Sequence, residues 1–199
     1  MAVEIERRFL VLGDGWRRHQ LWEQQLQQGY LLSAPDGLTV RVRLSGAVGM
    51  EPGATGCAAE AAAACLPAEA QAWLTIKAKL AADPGGLGRQ EFEYAIPAAD
   101  AAGLLPLCGS RVIKRRHGLD LPGGDWVLDV FEAENAPLVV AEVEIAGADA
   151  AVEVPPWCVR ELTGRHELSN AALAIRPLSR WSAAERMELF SPAPQAGAG

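Results

Sequence analysis

Residues 3–11 read Val-Glu-Ile-Glu-Arg-Arg-Phe-Leu-Val, and their pattern is that of a β-strand with one charged face. Because side chains alternate across a strand, Glu4, Glu6 and Arg8 share one face while Ile5 and the later apolar residues occupy the other. Like charges at positions i and i+2 lie roughly 6–7 Å apart and repel each other unless something lies between them. A divalent cation bound by carboxylate oxygens removes that repulsion. The strand therefore predicts a metal site, and the alternative is a solvated outer face of an edge strand.

The composition is that of a globular protein with an acidic surface. The chain has 199 residues, half of them apolar, which suffices for one domain or at most two small ones. Its net charge of −7 argues against general nucleic-acid binding. No apolar run is long enough to span a membrane, the N-terminal residues do not resemble a signal peptide, and the four cysteines lack zinc-ligand spacing. We therefore expect a cytoplasmic protein with reduced thiols.

Several later stretches alternate in the same way, with one apolar and one charged face. Like charges on neighbouring positions cost a sheet free energy, and a solvated face would more often mix the two signs. Same-sign pairs are expected where charged faces line a shared cavity, which would hold an anion against basic strands and a metal against acidic ones. A closed barrel provides that geometry and removes the sheet edges, whereas the alternative is an ordinary sandwich with solvated faces. The pairs are Glu4/Glu6, Arg41/Arg43, Lys77/Lys79, Lys114/Arg116 and Glu142/Glu144.

The segments between these strands contain turn and helix signals. Asp14 predicts the N-terminal cap of a helix over 15–28 that ends at Gly29. Residues 45–71 are rich in Ala, Gly and Pro and are interpreted as an insertion at a hairpin. Ser182 and Glu185 form a capping-box pattern for a last helix, and 191–199 are expected to be a disordered tail. Shorter helices are predicted at 100–105, 148–154 and 169–175.

In order along the chain, these motifs resemble the CYTH superfamily, the triphosphate tunnel metalloenzymes, and are most similar to its short bacterial members. The resemblance implies an α+β fold with a closed eight-stranded antiparallel β-barrel, a tunnel, and flanking helices. It implies a tunnel domain over 1–178, followed by a C-terminal helix and tail over 179–199. The matching stretches are 4–11, Gln28-Gly29-Tyr30-Leu31, Val40-Arg41-Val42-Arg43, 74–77, 88–93, Lys114-Arg115-Arg116, Leu128-Asp129-Val130-Phe131, Ala141-Glu142-Val143-Glu144, 162–164 and 170–174.

The resemblance also implies a role for each charged residue. Mg²⁺ or Mn²⁺ would be the cofactor, and Tyr30 and Arg8 would be the catalytic pair, with Tyr30 as proton acceptor. The implied metal ligands are Glu4, Glu6, Asp129, Glu142 and Glu144. The implied triphosphate-binding residues are Arg8, Arg41, Arg43, Lys77, Arg89, Lys114 and Arg116.

Arg8 departs from the family pattern, because it stands where the family signature has lysine. Arginine stays protonated and cannot act as a base, although its charge could still lower the pKa of Tyr30 by proximity. A metal-held water that needs no protein base is the alternative, and Tyr30 would then be a packing residue of the barrel wall.

The implied function is metal-dependent hydrolysis of a linear triphosphate, with inorganic tripolyphosphate as the leading substrate and pyrophosphate and phosphate as products. Thiamine triphosphatase, nucleoside triphosphatase and class IV adenylate cyclase activities compete within the same fold. A non-catalytic polyphosphate or nucleotide sensor is the alternative from another class. The expected partner is a small-molecule triphosphate, with no nucleic acid and no membrane, and a homodimer is left open.

Overall fold

The computed structural model describes residues 5–34, 37–46, 66, 69–79, 89–145 and 152–191. Within these residues, nine strands form one antiparallel sheet in the order β5-β4-β3-β2-β6-β7-β8-β1-β9. The strands are β1 (Ile5–Val11), β2 (Gln20–Ser33), β3 (Thr39–Ser45), β4 (Gln71–Lys79), β5 (Arg89–Ile96), β6 (Arg111–Leu119), β7 (Asp125–Phe131), β8 (Val139–Ile145) and β9 (Cys158–Glu161). The α-helices of the described part are α1 (Ala98–Leu104), α2 (Asn170–Ile175) and α3 (Ala183–Phe190).

The prediction of a closed eight-stranded barrel is wrong, because the described sheet is open and has nine strands. Its two outer strands, β5 and β9, are not paired with each other. Closure would need a free edge on β1, but β9 pairs with that edge over Phe9–Val11. The sheet nevertheless curves strongly, since Arg8 of β1 and Lys77 of β4 line the same cavity although five strands separate them in the sheet. The antiparallel sheet with flanking helices agrees with the prediction.

The helix predicted over 15–28 is also wrong. A 3₁₀ turn covers Gly15–His19, Asp14 makes no side-chain cap bond, and the chain then enters the 14-residue strand β2. Trp22 and Leu26 are four residues apart, a spacing that fits one face of a helix and one face of a strand equally well. Pairing with both β3 and β6 decides for the strand, because tertiary pairing overrides local helix propensity.

Gly29 was expected to end that helix and instead serves a packing role within β2. A Cβ placed there would come within 2.5 Å of Cys108 Sγ and 3.0 Å of Leu105 Cδ2. Any larger residue at this position would push α1 and the turn after it away from the sheet.

Strand alternation separates the charged concave face from two apolar clusters on the convex face. One cluster contains Trp126, Val143 and Trp157 outside β1, β7 and β8, and the other packs α1 against Val42 and Leu44 of β3. A third cluster, which we call the apolar plug, fills one end of the concave side. Its members include Leu10, Tyr30, Val112, Phe131, Val140, Leu162, Leu168, Leu173, Trp181 and Leu189. The charged cavity therefore has an apolar floor.

The other helix predictions are largely confirmed. Helix α2 matches the helix predicted at 169–175, and α1 matches that at 100–105 within two residues. Helix α3 begins with the predicted capping box, in which Ser182 and Glu185 bond each other's backbone N–H groups. Strand β9 was not predicted. The predicted helix at 148–154 is not found at 152–154, and its remainder lies outside the described residues. Most of 45–71 and all but the first residue of the tail predicted at 191–199 also lie outside them.

No helix in the described part of the chain combines the length and apolar character needed to cross a membrane.

Candidate active site

The concave face of the sheet encloses a cavity of about 130 Å³. Strands β1, β2, β3, β4, β6 and β8 contribute to its wall, and the start of α2 covers one side. Five of the described lining residues are cationic and two are carboxylates, so the cavity carries an excess of positive charge although the whole chain is acidic. Such a cavity attracts polyanions. The lining residues are Glu6, Arg8, Tyr30, Thr39, Arg41, Arg43, Lys77, Arg116, Glu142, Ser169, Asn170 and Ala171.

One wall of the cavity is a network of ion pairs between basic and acidic side chains. Glu142 accepts hydrogen bonds from Arg8 Nε at 3.0 Å and from Arg116 Nη2 at 2.9 Å. Arg116 also forms a two-pronged pair with Asp129, with both contacts at 2.8 Å. Lys114 Nζ donates to Asp129 at 2.5 Å, and neither side chain is exposed. We call Arg8, Lys114, Arg116, Asp129 and Glu142 the paired wall. Cross-strand register sets it, since Arg8 lies opposite Glu142 and Arg116 opposite Asp129.

In the paired wall, each charged side chain stabilises the charged form of its neighbours of opposite sign. Burial alone would raise the pKa of Asp129, but Arg116 and Lys114 hold it well below its usual range. The pKa of Glu142 is likewise lowered, because Arg8 and Arg116 outweigh burial and the repulsion of Asp129. Burial lowers the pKa of Lys114 to about 8, against the attraction of Asp129. All these groups are therefore charged at neutral pH.

Glu6 lies in a different environment from the two acids of the paired wall. The side chain of Glu6 is exposed at the cavity, but partial desolvation and the neighbouring charge of Glu142 raise its pKa, although Arg8 and Lys77 act in the opposite direction. Glu144 lies across the strand pair from Glu6 and is likewise exposed, but it is not part of the cavity lining. Glu4 lies outside the described residues. Glu6 and Glu142 thus bring two repelling carboxylates to one cavity.

This carboxylate pair fits a hard divalent cation. Carboxylate oxygens are the ligands preferred by Mg²⁺ and Mn²⁺, and Mg²⁺ is commonly held by one or two carboxylates together with substrate phosphates and water. Within the described ranges, no three His, Cys, Asp or Glu side chains cluster closely enough to hold a metal by themselves. A cation held by Glu6 and Glu142 would therefore share its remaining positions with a bound ligand.

The opposite wall, on β2, β3 and β4, is less completely neutralised. Arg41 Nη2 donates to Thr75 Oγ1 at 2.9 Å and to Glu93 at 3.3 Å, and Lys77 pairs with Glu91 at 2.6 Å. Arg43, by contrast, has no ion-pair partner among the described residues. Burial and the charge of Arg41 lower the pKa of Arg43 to about 10, so Arg43 still carries its charge at neutral pH.

Tyr30 faces the cavity from the middle of β2 with only 8% of its surface exposed. Burial raises its pKa to about 12, while Arg41, Arg43 and Arg8 act to lower it. The proximity effect predicted for Arg8 is therefore present, but burial outweighs it.

The structure brings most of the predicted site residues together. Glu6, Arg8, Tyr30, Arg41, Arg43, Lys77, Arg116 and Glu142 line the cavity. Lys114 and Asp129 are fully buried behind it, and Glu144 is exposed. Arg89 begins β5 with a backbone position opposite Lys79, and its side chain lies outside the description.

Sequence reasoning missed several residues of the site. Glu91 and Glu93 share a strand face with Arg89, so their alternation was a usable signal. Thr75 alternates with Lys77 and was equally visible. Asn170 comes from a helix start and carried no strand signal, yet its Oδ1 accepts from Lys114 Nζ at 3.1 Å. The backbone carbonyl of Leu168 in the same segment accepts from Arg8 Nη2 at 3.1 Å.

Comparison with known proteins gives a consistent result. The CYTH domain family matches residues 2–173. An inorganic triphosphatase of Nitrosomonas europaea is 34% identical over 179 residues, covering 87% of this chain and 97% of the relative. An inorganic triphosphatase of Acetivibrio thermocellus is 32% identical over 180 residues, covering 89% of this chain and 96% of the relative.

A solved structure agrees with these sequence relatives. The crystal structure of an inorganic triphosphatase superposes with a TM-score of 0.56 at 31% identity, covering 88% of this chain and 96% of that chain. The family match, the relatives and the charged cavity lead to one assignment: this chain belongs to the CYTH domain family.

Proposed function

We propose that this protein is a metal-dependent triphosphatase that hydrolyses inorganic tripolyphosphate to pyrophosphate and phosphate. The observation that carries the proposal is the cavity, in which five cations face two carboxylates on the concave side of one sheet. The two inorganic triphosphatases at 32% and 34% identity support the same substrate. Tyr30 is the single aromatic residue of the described lining, so the cavity offers little surface on which a nucleobase could stack.

The cations of the cavity would bind the substrate. Arg41, Arg43 and Lys77 lie on two neighbouring strands and line the same cavity as Arg8 and Arg116. Guanidinium groups bind phosphate oxygens through paired hydrogen bonds, and several of them together match a chain of phosphoryl groups. We assign phosphate binding to these five residues, with Arg89 as a further candidate at the end of β5. Lys114 acts from behind the cavity by fixing Asp129.

The acidic side would bind the cofactor, for which we propose Mg²⁺ or Mn²⁺. Glu6 and Glu142 are the ligands that the geometry supports best. Glu144, on the same strand as Glu142, and Glu4, which lies outside the described residues, are further candidates. Asp129, although predicted as a ligand, is bonded to Lys114 and Arg116 and more directly orients those cations. When bound, the cation would neutralise negative charge on the phosphoryl group and on the departing pyrophosphate.

The reaction needs one water molecule and one bond cleavage. The water oxygen attacks a terminal phosphorus, the bond to the bridging oxygen breaks, and pyrophosphate leaves with the electron pair of that bond. Arg8, Arg41 and Arg43 stabilise charge on the phosphoryl oxygens as it develops. Tyr30 is the chain's candidate proton acceptor, and its pKa of about 12 means that phenolate is scarce at neutral pH. The proposal therefore implies faster turnover at alkaline pH.

A phosphate-release assay over tripolyphosphate, ATP and thiamine triphosphate tests the proposed function. We expect tripolyphosphate to be hydrolysed with the highest kcat/KM, and turnover to stop when a chelator removes the divalent cation. Excess Ca²⁺ should inhibit, because it is larger and prefers looser coordination than Mg²⁺. Full turnover in chelator would contradict the metal assignment, and a clear preference for ATP or thiamine triphosphate would contradict the substrate assignment.

A further inference from the structure

The side-chain amide of Gln28 is buried on β2, and none of the interactions described above involves it. Its side chain is fully buried, and neither Nε2 nor Oε1 has a hydrogen-bond partner among the described residues. Buried amides without partners cost folding free energy and are rare in native proteins. When one occurs, an unplaced water, an ion or a functional role is the usual explanation.

Strand register places Gln28 on the concave, charged face. Gln28 lies opposite Arg43 on β3, and two residues further along β2 Tyr30 lies opposite Arg41. On its other side, Gln28 is opposite Val112 of the apolar plug. Directly opposed residues have Cβ atoms about 4.5–5.5 Å apart, so the amide of Gln28 lies within reach of the Arg43 side chain. Gln28, Tyr30, Arg41 and Arg43 thus form a two-by-two block, in which Tyr30, Arg41 and Arg43 line the cavity and Gln28 is buried directly beside them.

The same block contains two further buried donors without an acceptor. Arg41 Nε and Arg43 Nε both lack a partner among the described residues. The missing acceptor would most economically be an oxygen that several donors share. A phosphoryl oxygen is such an acceptor. Because Arg43 has no ion-pair partner among the described residues, its charge favours an anion over a neutral group.

We infer that Gln28, together with Arg41 and Arg43, forms a buried subsite for one phosphoryl group of a linear triphosphate. Gln28 Nε2 donates to a phosphoryl oxygen, and Gln28 Oε1 accepts from a protonated phosphoryl group or from a water that accompanies it. This inference rests on the proposed triphosphatase function and adds an uncharged residue to the five cations proposed to bind the substrate. No covalent step is assigned to Gln28.

Substitution of Gln28 should weaken tripolyphosphate binding without lowering the melting temperature. Gln28→Leu keeps most of the side-chain volume and removes two unpartnered polar atoms, so the ligand-free variant should melt at the same temperature or higher. The same change removes a donor to a charged ligand, so the Kd for tripolyphosphate should rise at least about tenfold. A residue kept only for structure would instead lower the melting temperature and leave the Kd unchanged.

Isothermal titration calorimetry with sodium tripolyphosphate in chelator, where no turnover is expected, measures this Kd directly. Gln28→Glu is the second variant: its carboxylate would pair with Arg43 and repel the anion, so binding should be weaker than in Gln28→Leu without loss of melting temperature. Gln27→Leu is the matched control, because Gln27 is the neighbouring residue on the opposite face of β2. Its Kd should equal that of the wild-type protein.

The outcomes separate this inference from the proposed function. Unchanged Kd values in both Gln28 variants, with a raised melting temperature, would show that only water fills the subsite and would overturn the inference. If the wild-type protein hydrolyses tripolyphosphate while the Gln28 variants bind it normally, the inference fails and the proposed function stands. If the wild-type protein does not hydrolyse tripolyphosphate, the proposed function fails, and the binding measurements still decide whether the subsite exists.

Discussion

The two walls of the cavity differ in how their charges are satisfied. On the paired wall, every cation contacts a carboxylate of the same group, and Asp129 and Glu142 each receive two cationic partners. On the opposite wall, Arg43 has no ion-pair partner within the described ranges, and Gln28 and the two arginine Nε atoms lack hydrogen-bond partners there. We call Gln28, Tyr30, Arg41 and Arg43 the open wall.

Charge therefore serves two purposes in one cavity. Buried ion pairs give little net stability over apolar packing, but removing one partner leaves an uncompensated charge and is strongly destabilising. The paired wall is therefore expected to maintain the architecture of the site. The open wall retains unused donors and an unpaired charge, which costs stability and favours an incoming anion. The same residue types should thus respond in opposite ways to mutation on the two walls.

The largest expected effect is a loss of stability on the paired wall. Asp129→Asn removes the charge that holds both Lys114 and Arg116, and we expect it to lower the free energy of unfolding by about 3–5 kcal/mol. Arg43→Gln on the open wall is the matched change and should leave stability unchanged or raise it, because it removes an unpaired cation. Chemical denaturation measures both. Equal losses in the two variants would remove the distinction between the walls.

The second largest expected effect is a loss of turnover when a ligand of the proposed cation site is changed. Glu6→Gln should lower kcat roughly 100-fold or more, about 2.7 kcal/mol of activation barrier, because it removes a proposed metal ligand. It should not weaken the fold at neutral pH. The folded-state pKa of Glu6 is raised, so ionised Glu6 disfavours folding, and this penalty grows as pH rises through its titration range. Steady-state kinetics with thermal melting tests this, and wild-type turnover would exclude Glu6 as a metal ligand.

Tyr30 allows a test of proton transfer on the open wall. Its pKa of about 12 lies above the assay range, so the phenolate fraction and the rate should rise about tenfold per pH unit between pH 7 and 9.5. Tyr30→Phe should lose turnover roughly 100-fold at pH 9 while still binding tripolyphosphate. A Tyr30→Phe variant with the wild-type rate and pH profile would show that Tyr30 packs in the wall and is not the base.

Residue alternation predicted the strand faces of this protein but not the depth or the partners of individual side chains. Alternation identified the charged face of β1, β3, β4, β6 and β8, and therefore most of the cavity lining. It could not distinguish Lys114 from Arg116, which share a face, because only depth within the curved sheet buries one and exposes the other to the cavity. Register, which sequence does not specify across long distances, decided which acids each cation meets.

The remaining errors have similar physical causes. The first half of β2 was predicted as a helix because Trp22 and Leu26 fit both periods, and only its two strand neighbours resolve the ambiguity. The open edge of the sheet depends on β9, a four-residue strand with no clear alternation signal. Gln28 was read only as part of a motif, because nothing in the sequence shows that its amide would be buried without a partner.

The smallest expected effect is in the insertion between β3 and β4. Ser45 lies opposite Gln71 in register, so the hairpin itself needs only a short connection. Replacing 47–65 with a short Gly-containing turn, while keeping Leu66 because it packs beside α1, should leave kcat/KM within a few-fold. Phosphate release from tripolyphosphate measures the effect. A well-folded variant without activity would assign the insertion a direct role at the cavity.

If the open wall binds the triphosphate as we claim, the Kd for tripolyphosphate in chelator must depend on Arg43. Arg43→Gln removes the unpaired cation of the cavity, whereas Arg7→Gln removes an arginine of the same chain that pairs with Glu161 on the outer side of β1. We predict that Arg43→Gln raises the Kd at least about tenfold and that Arg7→Gln leaves it unchanged. Equal Kd values for Arg43→Gln and the wild-type protein would contradict the claim.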